Sequence, residues 1–304
     1  MVDLIYLVAP IFLIILLGNI LKRSLISDDA IWYQINSLTY WVLFPCLLFN
    51  KTSVIDFESF SIGMFSVSLM VGFLVAVLFC IIVGKAYGMS ASTFSSVIQG
   101  GGRHNSFLAL AVASQILGEQ GELIGTIAIA VMVSFSNILT IIMLTIILRK
   151  NSETKPNILL EIFRNPFIIA IGLGLIFNFL NLGNLPILHD FTGYIGKAAL
   201  VIALICVGAG LRFVGGRQFI LPAAIACFAK MIIFPATVFL LTQYFNLSPI
   251  LTISAVIFAI VPTSSTSYAL AKQMGGDAPL MAAIISLQTL LSVFAIPLAV
   301  VLVS

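Results

Sequence analysis

Charge is what this sequence has least of. Asp, Glu, Lys and Arg make up 8% of its 304 residues, whereas 61% are hydrophobic and the mean hydropathy is +1.20. Soluble domains carry about 25% charged residues, and a single soluble core stops growing at roughly this chain length. A water-soluble fold has nowhere to hide so much apolar surface. Catalytic motifs are missing as well: there is no HExxH, no GxSxG and no pair of acids deep in an apolar run. Nucleophilic chemistry needs a base beside its nucleophile, and only His104 near Ser106 offers even a loose version. The four cysteines, Cys46, Cys80, Cys206 and Cys227, stand singly in apolar runs without metal-type spacing, as small apolar fillers do. No cofactor is expected. No basic patch interleaved with aromatics accompanies the net charge of +3, so nucleic acid is not an expected partner. The N-terminus lacks a basic region ahead of its apolar stretch and a small-residue cleavage site, and Lys22 and Arg23 follow that stretch. This pattern predicts a retained first span rather than a cleaved leader.

What is present is a series of long apolar runs, near 4–21, 34–52, 61–84, 93–117, 123–148, 164–182, 192–212, 218–245, 249–273 and 279–303. Each is long enough to cross about 30 Å of hydrocarbon, and none shows the alternation of an outer-membrane barrel strand. The expected fold is an all-α integral membrane protein of about ten helices, with the lipid bilayer as its solvent. Lys22, Arg23, Lys85, Arg149, Lys150, Lys155, Arg164, Arg212, Arg217 and Lys272 follow odd-numbered runs, whereas only Lys51 and Lys197 follow even-numbered ones. The positive-inside rule then places both termini outside the cytoplasmic membrane.

The most polar connection, Arg149 to Asn157, divides the chain into halves 1–150 and 151–304. Pro10-Ile11-Phe12…Gly18 has a counterpart in Pro166-Phe167…Gly174, and Ala113-Ser114-Gln115 in Ala271-Lys272-Gln273. Halves of five spans each insert with opposite orientation, a hallmark of many secondary transporters. Spans 4 and 9 hold matching interruptions. In span 4, Gly100, Gly101 and Gly102 precede Arg103, His104, Asn105 and Ser106; at about 1 kcal/mol per glycine, the triplet is expected to open or break the helix. In span 9, Pro262 precedes Thr263, Ser264, Ser265, Thr266 and Ser267. Paired breaks of this kind point to a transporter's binding site. The alternative is that the glycines only permit close helix packing and the hydroxyls only satisfy carbonyls.

Arg103 points to an anion. A charge at mid-membrane is costly and functional by default, yet every acid, from Asp3, Asp28, Asp29, Asp56 and Glu58 through Glu119, Glu122, Glu153, Glu161, Asp190 and Asp277, lies in a connection or near a span end. A guanidinium without an acid suits a carboxylate brought by the ligand, gripped by both oxygens; the rival partner is a carbonyl freed by the break. Lys230 in span 8 is a second deep cation that either adds field or snorkels to an interface. His104 either carries a coupling proton or serves as a neutral hydrogen-bonding group. Asn50, Asn137 and Gln288 are deep polar residues, read as glue between helices or as coupling residues.

Five stretches, APIFLIILLGNILKR, FPCLLFNKTS, RHNSFLALA, KMIIFPATVFLL and PTSSTSYALAKQMGGDAPLMA, resemble the auxin efflux carrier family, whose bacterial members include malate and malonate carriers. The family is similar in fold to bile-acid:sodium symporters. The resemblance implies two inverted five-span repeats with crossing broken spans 4 and 9. It also implies a scaffold of spans 1, 2, 6 and 7, against which spans 3–5 and 8–10 move like an elevator, and a homodimer. The family's polar motif falls on Arg103, Asn105 and Ser106, and on Pro262, Thr263, Ser264 and Ser265. Unlike plant auxin carriers, this chain has no long central hydrophilic loop. The function expected is a permease for small organic anions such as malate, malonate or auxin-like carboxylates. A channel, a non-transporting receptor and an intramembrane enzyme are the rivals.

Overall fold

The computed structural model describes residues 2–54, 62–148, 165–183, 185–212 and 215–304. Arg149, Lys150, Lys155 and Arg164 of the charge count, the acids Asp56, Glu58, Glu153 and Glu161, and the boundary between the two expected halves lie outside them. Every regular element among the described residues is helical. They are α1 (Val2–Ser24), α2 (Asp29–Leu38), α3 (Phe44–Thr52), α4 (Ile62–Ala86), α5 (Ala91–Gly102), α6 (Ser106–Leu148), α7 (Pro166–Phe179), α8 (Pro186–Ala209), α9 (Arg217–Phe228), α10 (Phe234–Tyr244), α11 (Pro249–Ile260), α12 (Thr266–Met274) and α13 (Ala278–Val303). Among the described residues six stretches are long and apolar enough to cross a membrane: Asp3–Ser24, Ile62–Ala86, Ala91–Leu148, Pro186–Ala209, Arg217–Tyr244 and Ala278–Val303. The chain is a multi-pass membrane protein.

Two rods contain a π turn, and the sequence explains both. α2 runs into α3 through Thr39–Leu43, and α9 runs into α10 through Ala229–Ile233. Each turn is followed by Phe-Pro. Proline has no N–H and its ring clashes with the carbonyl four residues back, so the helix widens by one residue before it. The Phe44 N–H bonds the Thr39 carbonyl and the Phe234 N–H that of Ala229, five residues back in both cases. These turns carry Tyr40 and Lys230. α6 bends sharply at Gly118, whose φ of 62° and ψ of −145° are not helical, giving a short and a long arm.

The helices pack as two groups. α1, α3, α7 and α8 lie against one another with α2 beside α8, while α4, α5, α6 and α9–α13 form the second body. In the first, α1 and α8 touch backbone to backbone. A Cβ at Gly208 would fall 1.7 Å from the Ile15 carbonyl oxygen, and the Asn19 amide donates to the Gly208 carbonyl at 3.2 Å. Asn50 on α3 donates to the His189 carbonyl at 2.8 Å and to Thr192 Oγ1 at 3.2 Å on α8. It serves there as interhelical glue.

Ion pairs bridge helix ends. Lys51, next to the end of α3, meets Glu122 of α6 at 2.9 Å. Asp29 at the start of α2 pairs with Lys22 at 2.5 Å and with Arg212 at 3.0 Å, and Arg212 lies over the Tyr268 ring of α12 at 4.9 Å. The Lys22 hydrogen bond holds the Asp29 carboxyl below its ordinary range. A lowered folded pKa stabilises above the unfolded value of about 3.9, and that contribution fades as pH falls through the folded one. Because Asp29 is 66% exposed, screening keeps the effect within about 1 kcal/mol. Asp29→Asn should lower the melting temperature slightly at pH 7 in low salt, with the gap closing at pH 3 or in 1 M NaCl. A gap that stays constant under both conditions would mean the ion pairs are not its source.

Candidate functional site

Two helices of equal length aim at one point from different parts of the chain. α5 and α11 each have twelve residues, each starts after a serine in extended backbone, Ser90 (φ −59°, ψ 152°) and Ser248 (φ −60°, ψ 154°), and each ends at a residue that returns to extended backbone, Arg103 (φ −63°, ψ 155°) and Val261 (φ −58°, ψ 150°). The non-helical links that follow are in contact. The Asn105 N–H donates to the Pro262 carbonyl at 2.8 Å. Thr263 Oγ1 donates to the Gly100 carbonyl at 2.7 Å, and the Thr263 N–H reaches Gln288 Oε1 on α13 at 2.8 Å. The Gln288 amide returns to the Gly100 carbonyl at 2.8 Å. Groups freed by the breaks are thus satisfied by protein, as the lack of water in a bilayer demands.

The glycine triplet does not open the helix. Gly100, Gly101 and Gly102 are the last three residues of α5, and the break begins at Arg103. The triplet lies where α5 threads between α4, α9 and α13. Its absent side chains would meet Ile284 Cγ2 at 2.8 Å, Cys80 Sγ at 2.3 Å and Val77 Cγ2 at 2.6 Å. The propensity penalty is offset by close packing. In span 9 the break spans Val261–Ser265 and contains Pro262.

Beside the contact between the two links lies a cavity of about 50 Å³, room for roughly three to five waters. Arg103, His104, Asn105 and Ser106 line it from the first break, and Ser264 and Thr266 from the second. Ser136 and Asn137 come from the long arm of α6, and Tyr40, Phe107 and Phe167 form an aromatic wall. Tyr40 and Phe167 belong to the first helix group and the rest to the second, so the cavity sits on the seam between them. The breaks also turn the N-termini of α6 and α12 toward it, where amide N–H groups and the helix dipole favour negative charge.

Arg103 is 8% exposed. Its Nη2 donates to Asn137 Oδ1 at 2.5 Å, and its Nη1 is buried without a partner. Among the described residues no carboxylate lines the cavity. His104 Nε2 and Ser106 Oγ are 3.1 Å apart, while His104 Nδ1 is buried and unpartnered. Asn105 Oδ1 accepts from the Leu108 N–H at 3.1 Å and caps α6. Ser264 and Thr266 share a hydrogen bond at 2.9 Å.

Thr263, Gln288, Pro262 and Asn50 lie outside the lining; the first two both hydrogen-bond the Gly100 carbonyl. Ser265 is also outside it, at the foot of α12. Lys230 is fully buried rather than snorkelling, with Nζ 4.4 Å from the centre of the Phe234 ring and no hydrogen-bond partner. It too is absent from the lining. Tyr40, Phe107, Val133, Ser136, Phe167 and Thr266 were missed as site residues. For Tyr40, the Phe-Pro signature of a π turn inside an apolar run was the available signal.

No curated protein matches this chain. A family model described as membrane transport protein matches residues 3–300, nearly its whole length. The chain belongs to that membrane transport family, the auxin efflux carriers.

Proposed function

We propose that this protein is a secondary transporter that carries small organic carboxylates across the cytoplasmic membrane by alternating access. One observation carries the reading: a buried guanidinium with an unpartnered Nη1 faces a cavity on the seam between two helix groups, and no carboxylate lines that cavity among the described residues. A carboxylate supplies the missing acceptor in the plane of the fork. The two matched half-helices, α5 and α11, support a ten-span architecture of inverted repeats, 1–150 and 151–304. The packing of α1–α3, α7 and α8 apart from the rest supports a scaffold against which spans 3–5 and 8–10 shift. Both termini then lie outside the cytoplasm. The cavity is too small for a whole organic acid, so the lining must part on loading, as motion along the seam would allow.

Tyr40, Phe107 and Phe167 give the cavity an aromatic wall, and Lys230 stands outside the lining. The site therefore offers a second carboxylate no permanent cation, and it suits one carboxylate with an apolar flank. Purified protein in liposomes should take up labelled indole-3-acetate saturably, with malonate and malate as weaker competitors. No saturable uptake of any of the three, or sustained single-channel currents in planar bilayers, would overturn the reading.

A further inference from the structure

Arg103 is not the only group in the cavity with an unused nitrogen. His104 is 5% exposed. One ring nitrogen is engaged by Ser106 Oγ, and the other, Nδ1, is buried with no partner. A histidine kept only as a hydrogen-bonding strut would have both nitrogens satisfied, because a buried polar atom left bare costs stability. Its surroundings are unusual in charge. Arg103 precedes it in the chain, and Lys230, in the π turn between α9 and α10, is within electrostatic reach. Tyr40 faces the cavity from the π turn between α2 and α3, and Cys80 of α4 packs near Gly101. α11 presents Phe258, α12 the Thr266 hydroxyl, and the long arm of α6 Val133, Ser136 and Asn137, none of them ionisable. The described residues bring cations to this histidine and no acid.

We propose that His104 is the proton site of a proton–carboxylate symport, its ring taking one proton each time a carboxylate settles on Arg103 and releasing it when the carboxylate leaves. The proposal rests on the carboxylate reading above. In the empty cavity a proton on His104 would put a second positive charge beside Arg103, where low polarity screens poorly. An arriving carboxylate cancels the Arg103 charge, and the proton and the anion then favour each other's binding by equal factors. Charge matching follows. The empty cavity holds the single positive charge of Arg103; the cavity loaded with one monoanion and one proton holds the same net charge. The moving body thus carries the same charge in both directions, and the membrane potential favours neither. Lys230 does not serve this role, because its Nζ lies against the Phe234 ring outside the cavity lining.

Calorimetric titration with indole-3-acetate, malonate and malate at pH 7.5, in phosphate and in Tris, reads the proton directly, since the buffers differ in the heat of giving one up. The wild type should take up about one proton per acid bound, and His104→Gln should bind with buffer-independent heat. An inward-directed proton gradient should raise wild-type accumulation about tenfold per pH unit and leave the variant indifferent. The chain has only two histidines, His104 and His189. In ¹⁵N-histidine-labelled His189→Gln protein the remaining signal should move to the imidazolium position on adding acid, which tests the idea even if His104→Gln does not fold. Equal heats in both buffers for the wild type would overturn the proton site while leaving carboxylate binding intact. Proton uptake that survives in His104→Gln and disappears in Lys230→Met would place the proton on the lysine and overturn it too. No binding of any acid in either buffer would sink the carboxylate reading and this one with it.

Discussion

Arg103→Ala is expected to abolish carboxylate transport while making the empty protein more stable. Both effects have one origin. The guanidinium is buried with one nitrogen on a neutral amide and another on nothing, so the empty protein bears the cost of a charge at depth, at least about 2.5–3.5 kcal/mol. Removing the charge relieves that cost, and the melting temperature of the variant in detergent should rise by several degrees. Binding moves the opposite way. Truncating one partner of a buried, hydrogen-bonded charge pair typically costs about 2–5 kcal/mol, roughly thirtyfold to several thousandfold in affinity. Uptake should fall by about a hundredfold or more. Arg103→Lys keeps the charge and loses the planar fork, so its uptake should lie between the two while its stability does not rise. An alanine variant that melts lower than wild type and still transports would mean that Arg103 is a structural cation, held by groups other than cargo.

How much of this was legible in the sequence depends on the range of the interaction involved. The membrane class follows from composition, and the breaks follow from local chemistry: Pro262 and the string of polar residues at 103–106 mark the two non-helical links. Arg103 stands out because a charge within an apolar run is visible one residue at a time. The glycine triplet was read only in part, because its meaning is not local: the helix does break, but at Arg103, directly after the triplet. Propensity alone says that three glycines weaken a helix, and only the positions of Ile284, Cys80 and Val77 show that the helix survives because nothing larger fits. The partners of the polar groups were hidden for the same reason. Nothing in the run around Asn137 says that it meets Arg103 rather than another helix, or that Gln288 places its amide on the Gly100 carbonyl. Tyr40 and Phe167 reach the cavity from the other helix group, so no spacing within spans 4 and 9 could name them.

The triplet also sets the second large effect. Gly101→Val should prevent recovery of folded, monodisperse protein, because its Cβ would fall 2.3 Å from Cys80 Sγ and 3.0 Å from Ala229 Cβ. Neither neighbour is the free end of a flexible chain: both are fully buried, on α4 and in the π turn after α9. Overpacking a tight core costs about 1–3 kcal/mol and sometimes more, and a branched side chain meets the clash on two sides. Gly101→Ala should be milder, with a melting temperature several degrees below wild type. Adding Cys80→Ala, which removes the offending sulfur, should recover most of that loss, a coupling expected only of residues in contact. Gly172 provides the control, since no atom lies within 4 Å of a Cβ built there. Gly172→Ala should leave the melt unchanged or raise it, alanine being the better helix former by about 1 kcal/mol. If Gly101→Ala instead behaved like Gly172→Ala, α5 would have slack at its end. The contact between the two links would then be held by Thr263 and Gln288 on the Gly100 carbonyl rather than by the fit of bare backbone between three helices.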